Sequence, residues 1–398
     1  MKILRVHNYY KNRGGEATCF HNEVELLKKN GQEVVVYTRN NKDITKMFSI
    51  KNFFNAIWSK QTYREIADLI EKEKPEIVHF DNIFPLVSPS AYYAVKKKGI
   101  PVIQTLHNYR LLCANAMLYV KNDICEKCAG KALQFPGVLN KCYKNSYLAS
   151  AVVVLMNFAH RLLGTRIKKV DHYFVPSEFA KNKLVHYGMP ENKISVKANV
   201  LSNDPGVGAG IGENVIYVGR LSQEKGIHSL IKAWSGIKDI SLTIVGDGPM
   251  RSEVEEYLFV NDLKNVKIKG LLSHAEVLEL VKQSRILIFP SEWYEVQPFT
   301  LIEAFACGKP VVAGRIGVMS DFIEENRTGI FFETKNSTDL AEKVVRLYND
   351  VNKVKELGIN CRIEYEAKYT NSKIYNSMMS VYGELAMSSS KKERVDDE

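Results

Sequence analysis

The chain has 398 residues, 45% of them hydrophobic and 25% charged, which suffices for two domains that each bury a core and excludes a disordered or fibrous chain. The net charge of +10 is uneven: residues 1–201 hold 31 Lys and Arg against 16 Asp and Glu, and the remainder holds 24 against 29. A basic first half admits an anionic partner, but basic patches without interleaved aromatics or a recognisable module exclude a nucleic-acid reader.

In chain order, short β-branched runs alternate with amphipathic stretches. Strands are expected at Ile3–His7, Glu33–Thr38, Ile77–Phe80 and Val102–Leu106, with helices near Thr18–Asn30, Tyr63–Glu73 and Ser90–Lys98 between them. Met1-Lys-Ile-Leu runs straight into the first strand with no extended apolar stretch, so the protein is expected in the cytoplasm. Residues 108–147 read as irregular. The apolar window Ala151–Leu163 is broken by His160 and Arg161 and falls short of the ~20 residues of a membrane span, although it suits a helix lying on a surface. The pattern resumes with a strand from Asp171 and a helix capped by Ser177. Between Ser202 and Glu213 the sequence is rich in glycine and poor in bulky side chains, as a linker is. A second series follows, with strands at Val215–Gly219, Ser241–Gly246, Val266–Lys269 and Ile286–Pro290, and helices near Gly226–Ser235, Met250–Phe259, His274–Gln283 and Phe299–Cys307. Residues 349–387 read as helical, and the tail 388–398 lacks an apolar period and is expected to be disordered. The boundaries are therefore 1–201, 202–213, 214–370, 371–387 and 388–398. Strands alternating with helices imply α/β architecture: two Rossmann-like, doubly wound parallel sheets whose ligands bind beyond the carboxyl ends of the strands.

The residues that carry chemistry stand at those strand ends. Gly14 and Gly15 form a turn after the first strand, where backbone can approach a phosphate. His107 ends the fourth strand of the first half, and a neutral imidazole there can bond a sugar hydroxyl. Gly219 and Arg220 close the first strand of the second half, and Lys225 follows five residues later. An arginine fork and a lysine point charge suit a diphosphate. Gly246 begins a tight turn beside them. In Ser291–Pro310, Glu295 precedes a helix that Pro298 opens and Gly308 closes, and Glu303 lies inside it. Such a helix start favours anionic or hydroxyl-rich ligands, while two glutamates near a helix start also serve ordinary capping. Cys113, Cys125, Cys128 and Cys142 fall in the irregular segment with one C-x-x-C pair, compatible with a structural zinc site or with free thiols.

These motifs, in this order, resemble the retaining glycosyltransferases of family 4, and the likeness spans nearly the whole chain, most strongly Val215–Phe332. The resemblance implies the GT-B fold, with two domains facing across a cleft: an acceptor-side N-terminal domain, a nucleotide-sugar-binding C-terminal domain, and a C-terminal helix packing back on the first. It implies transfer of a hexosyl-type sugar from a nucleoside-diphosphate sugar, with retention, to a hydroxyl of a glycan or lipid-linked glycan. Surface polysaccharide, lipopolysaccharide or glycoconjugate synthesis is the implied setting. On that resemblance Arg220 and Lys225 neutralise the donor diphosphate, Gly14, Gly15, Gly219 and Gly246 offer backbone near it, and Glu303 binds the ribose. Glu295 and the backbone of Val296, Gln297, Pro298 and Phe299 hold the transferred sugar, and His107 contacts that sugar from the other domain. No cofactor is implied for catalysis, so a zinc ion would be structural. Many relatives have Gly-Phe-Gly where this chain has Val296-Gln297-Pro298-Phe299, which leaves the sugar open. The basic first half and the apolar helix point to a lipid-linked acceptor and a peripheral position on the inner face of the cytoplasmic membrane. A nucleotide-sugar epimerase or hydrolase on the same fold is the rival reading.

Overall fold

The computed structural model describes residues 1–11, 14–44 and 50–396. They fall into two compact units: residues 1–118 and 125–202 with the C-terminal segment from Asn371 form the first, and residues 119–124 and 203–370 form the second.

The first unit is built on β1 (Lys2–Tyr9), β2 (Glu33–Asn40), β3 (Ile77–Phe80) and β4 (Val102–Thr105); after the hairpin β5 (Tyr119–Val120) and β6 (Asp123–Ile124) it adds β7 (His172–Val175) and β8 (Ile194–Val196). Its six strands run in the order β2-β1-β3-β4-β7-β8 and every pairing is parallel. Parallel strands covered on both faces need continuous apolar runs, and Ile77–Phe80 and Val102–Thr105 are accordingly buried at every position. Arg5 and His79 break this rule as fully buried polar residues, and they belong to an ion network described below.

The second unit comprises β9 (Asn214–Val218), β10 (Ser241–Val245), β11 (Val266–Gly270), β12 (Ser284–Phe289), β13 (Val311–Gly314) and β14 (Gly329–Phe332), in the order β11-β10-β9-β12-β13-β14, again all parallel. Trp234, Ile244, Ile288 and Phe332 lie in its core. In both units the strand order reverses beside the first strand, between β1 and β3 and between β9 and β12. Those are the switch points at which a doubly wound sheet leaves a crevice beyond its carboxyl ends.

Several expectations shift. The first helix spans Gly15–Lys29, so it begins three residues before Thr18, and Ser177 caps its helix by accepting from the Ala180 N–H. Strands β8 and β14 were not anticipated. Residues 108–147 hold the hairpin β5–β6 and the short helix Phe135–Leu139. The hairpin belongs to the second unit although the chain on either side of it belongs to the first, so the first unit is not one continuous run to residue 201. Lys335 secures the hairpin, donating to the Asn122 carbonyl at 2.8 Å and pairing with Asp123 at 3.1 Å.

The long C-terminal helical stretch is two helices, Val351–Lys368 and Asn371–Asp396. The second supplies Ile374, Met378 and Tyr382, spaced four apart on one face, to the core around Ile3, Ile77, Ile103 and Phe174. It continues to Asp396 where a disordered tail was expected; residues 397–398 lie outside the described residues. Propagating a helix from a packed base requires no new nucleus, and Ser389 anchors the extension by donating to the Gly99 carbonyl at 2.7 Å. Among the described residues no helix is long and apolar enough to cross a membrane. Met378 is fully buried, so Met378→Ala is expected to cost ~2–5 kcal/mol. Chemical denaturation checks this, and an unchanged midpoint would show that the last helix does not belong to the core.

Candidate active site

At the switch point of the second unit, three loops meet. The loop after β9 presses on the end of β12: Gly226 has φ +70°, and a Cβ there would lie 1.9 Å from the Pro290 carbonyl oxygen. The turn after β10 is as close, since a Cβ on Gly246, at φ +137°, would lie 1.9 Å from the Gly219 carbonyl oxygen. Glycine is required at both places by contact and by backbone conformation together. The result is a narrow rim that carries Arg220, Lys225, Ser291 and Glu295.

Glu295 is the hub of that rim. Its Oε1 accepts from Lys225 Nζ at 2.5 Å, from Ser291 Oγ at 2.8 Å and from Trp293 Nε1 at 2.8 Å. The side chain is buried, so the charge-assisted bond to Lys225 and the two neutral donors offset the cost of removing the carboxylate from water. Lys225 also lies 5.6 Å from the Trp293 ring centroid, a cation–π contact. The expectation gave Lys225 and Glu295 separate ligands; the structure makes them one ion pair. Arg220 stands apart, exposed, and among the described residues its side chain makes no hydrogen bond or ion pair.

Glu303 lies in the helix Phe299–Ala306, one turn inside its start, and is buried. It caps nothing. Its Oε1 meets His274 Nε2 at 2.7 Å, and this hydrogen bond raises the His274 pKa against the opposing effect of burial. His274 was missed as a site residue because it reads as an ordinary first-turn residue behind the Ser273–Glu276 capping box. Pro298 is the N-cap and provides no side-chain cap; Leu301 N donates to the Pro298 carbonyl at 3.3 Å, and the N–H groups of Phe299 and Thr300 open the helix near the buried Gln297 and half-buried Val296. Gly308, at φ +66°, follows the helix end as expected.

In the first unit, Gly14 is the extended N-cap of the first helix and Gly15 its first residue. A Cβ on Gly14 would meet nothing within 4 Å, so crowding inside the protein does not demand glycine there. His107, just beyond β4, has its Nε2 3.2 Å from Asp81 Oδ1, beyond β3. Asp81 in turn accepts from Arg5 Nη2 at 2.7 Å, Arg5 Nη2 also reaches Glu23 Oε2 at 2.9 Å, and Glu23 pairs with Lys197. Burial alone would raise both carboxyls; Lys197 and Arg5 bring Glu23 down to about 2, and Arg5 and the His107 hydrogen bond hold Asp81 well below its ordinary range. Two cations and two anions thus balance in a sealed core. His79 extends the network from Thr105 Oγ1 at 2.7 Å to the Tyr382 hydroxyl at 2.5 Å, and burial keeps it neutral. Sequence reasoning missed this network because a charged residue in a strand otherwise reads as exposed.

The four loop cysteines lie near one another, since Cys113, Cys128 and Cys125 all act on Cys142, although no three of their sulfurs lie within 4.8 Å of one another. Cys113 Sγ is turned to Asn115 Oδ1 at 2.9 Å and Cys128 Sγ to the Gln134 carbonyl at 3.6 Å. All four are free thiols, and burial pushes Cys128 up to about 11 and Cys142 up to about 12. Glu23, His79 and Asp81 do cluster closely, but Arg5 and Lys197 already supply the positive charge that a cation would bring.

Two doubly wound units with polar clusters at their switch points define a GT-B fold. Residues 212–363 match the family described as Glycosyl transferases group 1, and residues 13–200 match that described as Glycosyltransferase Family 4. The chain belongs to the group 1 glycosyltransferases. It is 25% identical to an uncharacterised glycosyltransferase of Methanocaldococcus jannaschii over 97% of this chain and 99% of the relative. It is 23% identical to the capsular polysaccharide biosynthesis glycosyltransferase CapM of Staphylococcus aureus, over 90% of this chain and 92% of CapM. Among solved structures, HepE of Anabaena in complex with UDP superposes with a TM-score of 0.69 at 17% identity, covering 96% of this chain and all of HepE.

Proposed function

We propose that this glycosyltransferase moves a hexosyl-type sugar from a nucleoside-diphosphate sugar to a hydroxyl of a glycan or lipid-linked glycan, with retention, in the synthesis of a surface polysaccharide or glycoconjugate. The observation that carries the reading is the gathering of Arg220, the Lys225–Glu295 pair and the Glu303–His274 pair at the carboxyl ends of β9 and β12. A departing nucleoside diphosphate gains negative charge on its bridging oxygen. Arg220, Lys225 and the open first turn of the Phe299 helix are the groups that stabilise it, and such preorganised charge is the main catalytic contribution. Glu303 suits ribose hydroxyls, with His274 fixing its carboxylate. Glu295 is anchored through Oε1 to three donors, so it holds sugar hydroxyls in a set orientation and need not form a covalent bond. In the first unit, Asp81 bonds His107 and so fixes its orientation. Catalysis proceeds on these residues without a metal, and the diphosphate itself helps to remove the acceptor proton on the face from which it leaves. The capsular role of CapM and the UDP bound to HepE support a polymer-building role and a uridine donor for this chain.

A lipid-linked acceptor has separate support. The helix Tyr147–Leu162 buries Ala149, Val153, Met156 and His160 on one side, yet Leu148, Leu155 and Leu162, seven residues apart, are exposed on another. Leu163 and Ile167 prolong this exposed row beside Arg161 and Lys168. An apolar stripe with a basic rim is the pattern of a helix lying in an anionic membrane surface.

Incubation with UDP-, GDP- and ADP-sugars is expected to show stabilisation by one nucleotide class and acceptor-dependent release of its diphosphate. Arg220→Ala and Glu303→Ala are each expected to lower kcat/KM by about 100-fold. Wild-type turnover in either variant contradicts the assignment, and conversion of the free donor without acceptor identifies an epimerase or hydrolase instead. Flotation with phosphatidylglycerol vesicles is expected to carry the wild-type protein and to lose Leu155→Asp/Leu162→Asp; failure of the wild type to float at low salt removes the membrane reading.

A further inference from the structure

The cavity beyond β3 and β4 holds more positive charge than the Asp81–His107 pair uses. Arg110 and Arg166 both line it, with Asn108, Asn157 and His107. Arg110 Nη1 donates to the Ala114 carbonyl at 2.6 Å, and its guanidinium lies 4.7 Å from the Phe84 ring centroid and 5.2 Å from that of Tyr143. Arg110 Nε is buried with no hydrogen-bond partner. Arg166 Nη1 donates to the Leu111 carbonyl at 3.2 Å and Nη2 to Asn157 Oδ1 at 2.9 Å, and Asn157 is itself fixed by donating to the Arg110 carbonyl and to Gln134. These acceptors are all neutral, and among the described residues neither guanidinium forms an ion pair with a carboxylate. Arg5, in the same unit, is held by two.

The acidic groups facing the cavity do not make up the difference. Asp81 is already matched by Arg5 and His107. Glu16, bonded to Asn108, is pushed up to about 6 by burial despite the pull of His107 and Arg110, so it is still mostly ionised at neutrality and offsets one of the two guanidiniums but not both. Arg166 meanwhile is lowered to about 10 by burial, with only tyrosines opposing the shift and Arg161 adding to it. A partly buried guanidinium with neutral partners is costly, and two in one cavity are offset when an anion enters. A neutral sugar would leave at least one of the two charges uncompensated.

We propose that this cavity binds an oxyanion borne by the acceptor, a phosphate or a carboxylate, with Arg166 and Arg110 as its counter-charges, and so holds the acceptor beside His107. The arginine fork matches either oxyanion. The inference rests on the glycosyltransferase reading above but not on the donor residues.

The test uses the full chain carrying Arg220→Ala and Lys225→Ala, which removes the proposed donor cations, titrated calorimetrically with inorganic diphosphate and, separately, with glucuronate. Saturable binding of at least one is expected, weakened about tenfold or more by Arg166→Gln and by Arg110→Gln and retained in part by Arg166→Lys. Binding of diphosphate alone identifies a phosphate-bearing acceptor, and of glucuronate alone a uronate-bearing one. Absence of binding by both, or binding indifferent to Arg166→Gln and Arg110→Gln, overturns the proposal. UDP binding is measured in parallel with Arg220 and Lys225 intact. If Arg166→Gln keeps it, the variant is folded and its anion result stands; if the wild type lacks it, the donor reading fails while the anion result is unaffected.

Discussion

A parallel sheet delivers its strand ends to one edge, and in the second unit the bond between Lys225 and Glu295 ties two of those ends into one charged surface. The rest of the site is arranged around that bond. Gly226 must be glycine so that the loop bearing Lys225 can rest on Pro290, and Ser291 and Trp293 direct their donors to the same carboxylate oxygen. With Glu295 held in place and Lys225 held by it, we propose that the exposed Arg220 and the uncapped helix start at Phe299 meet the incoming diphosphate.

The first unit handles charge in two ways. Around Arg5 the network is closed: Glu23, Asp81 and Lys197 balance it, the pairs are fully buried, and the C-terminal helix approaches it through Tyr382 and His79. Buried pairs of this kind add little net stability, but removal of one partner is severely destabilising, so the network fixes which side chains can stand at the ends of β3 and β4. Around Arg110 and Arg166 the balance is open. On the proposal above, the contrast between a sealed, neutral cluster and a partly buried, cationic one is that between scaffold and binding surface.

Much of this was legible in the chain because periodicity and strand-end chemistry are local signals. The alternation of β-branched runs and amphipathic helices marks both sheets, and Arg220, Lys225, Glu295 and Glu303 stand out as charges placed where strands stop. What escaped is what depends on tertiary contact. His274 looks like a helix-capping neighbour until Glu303 arrives from the next helix along the chain. Arg5, Glu23 and Lys197 are unremarkable apart and make sense only when β1, the first helix and β8 are adjacent. The hairpin β5–β6 has two-residue strands, too short to show a period, and the cysteine spacing alone does not reveal that the four thiols come near one another in the fold.

The central claim is that the rim at the ends of β9 and β12 is the nucleotide-sugar site. Hydrogen–deuterium exchange of the wild-type chain with and without saturating nucleoside diphosphate tests it residue by residue. The account predicts slowed exchange concentrated in residues 219–226 and 291–303, with His274 in the protected set. Protection confined to the first unit, or none in those two segments at a concentration that stabilises the protein, would contradict it.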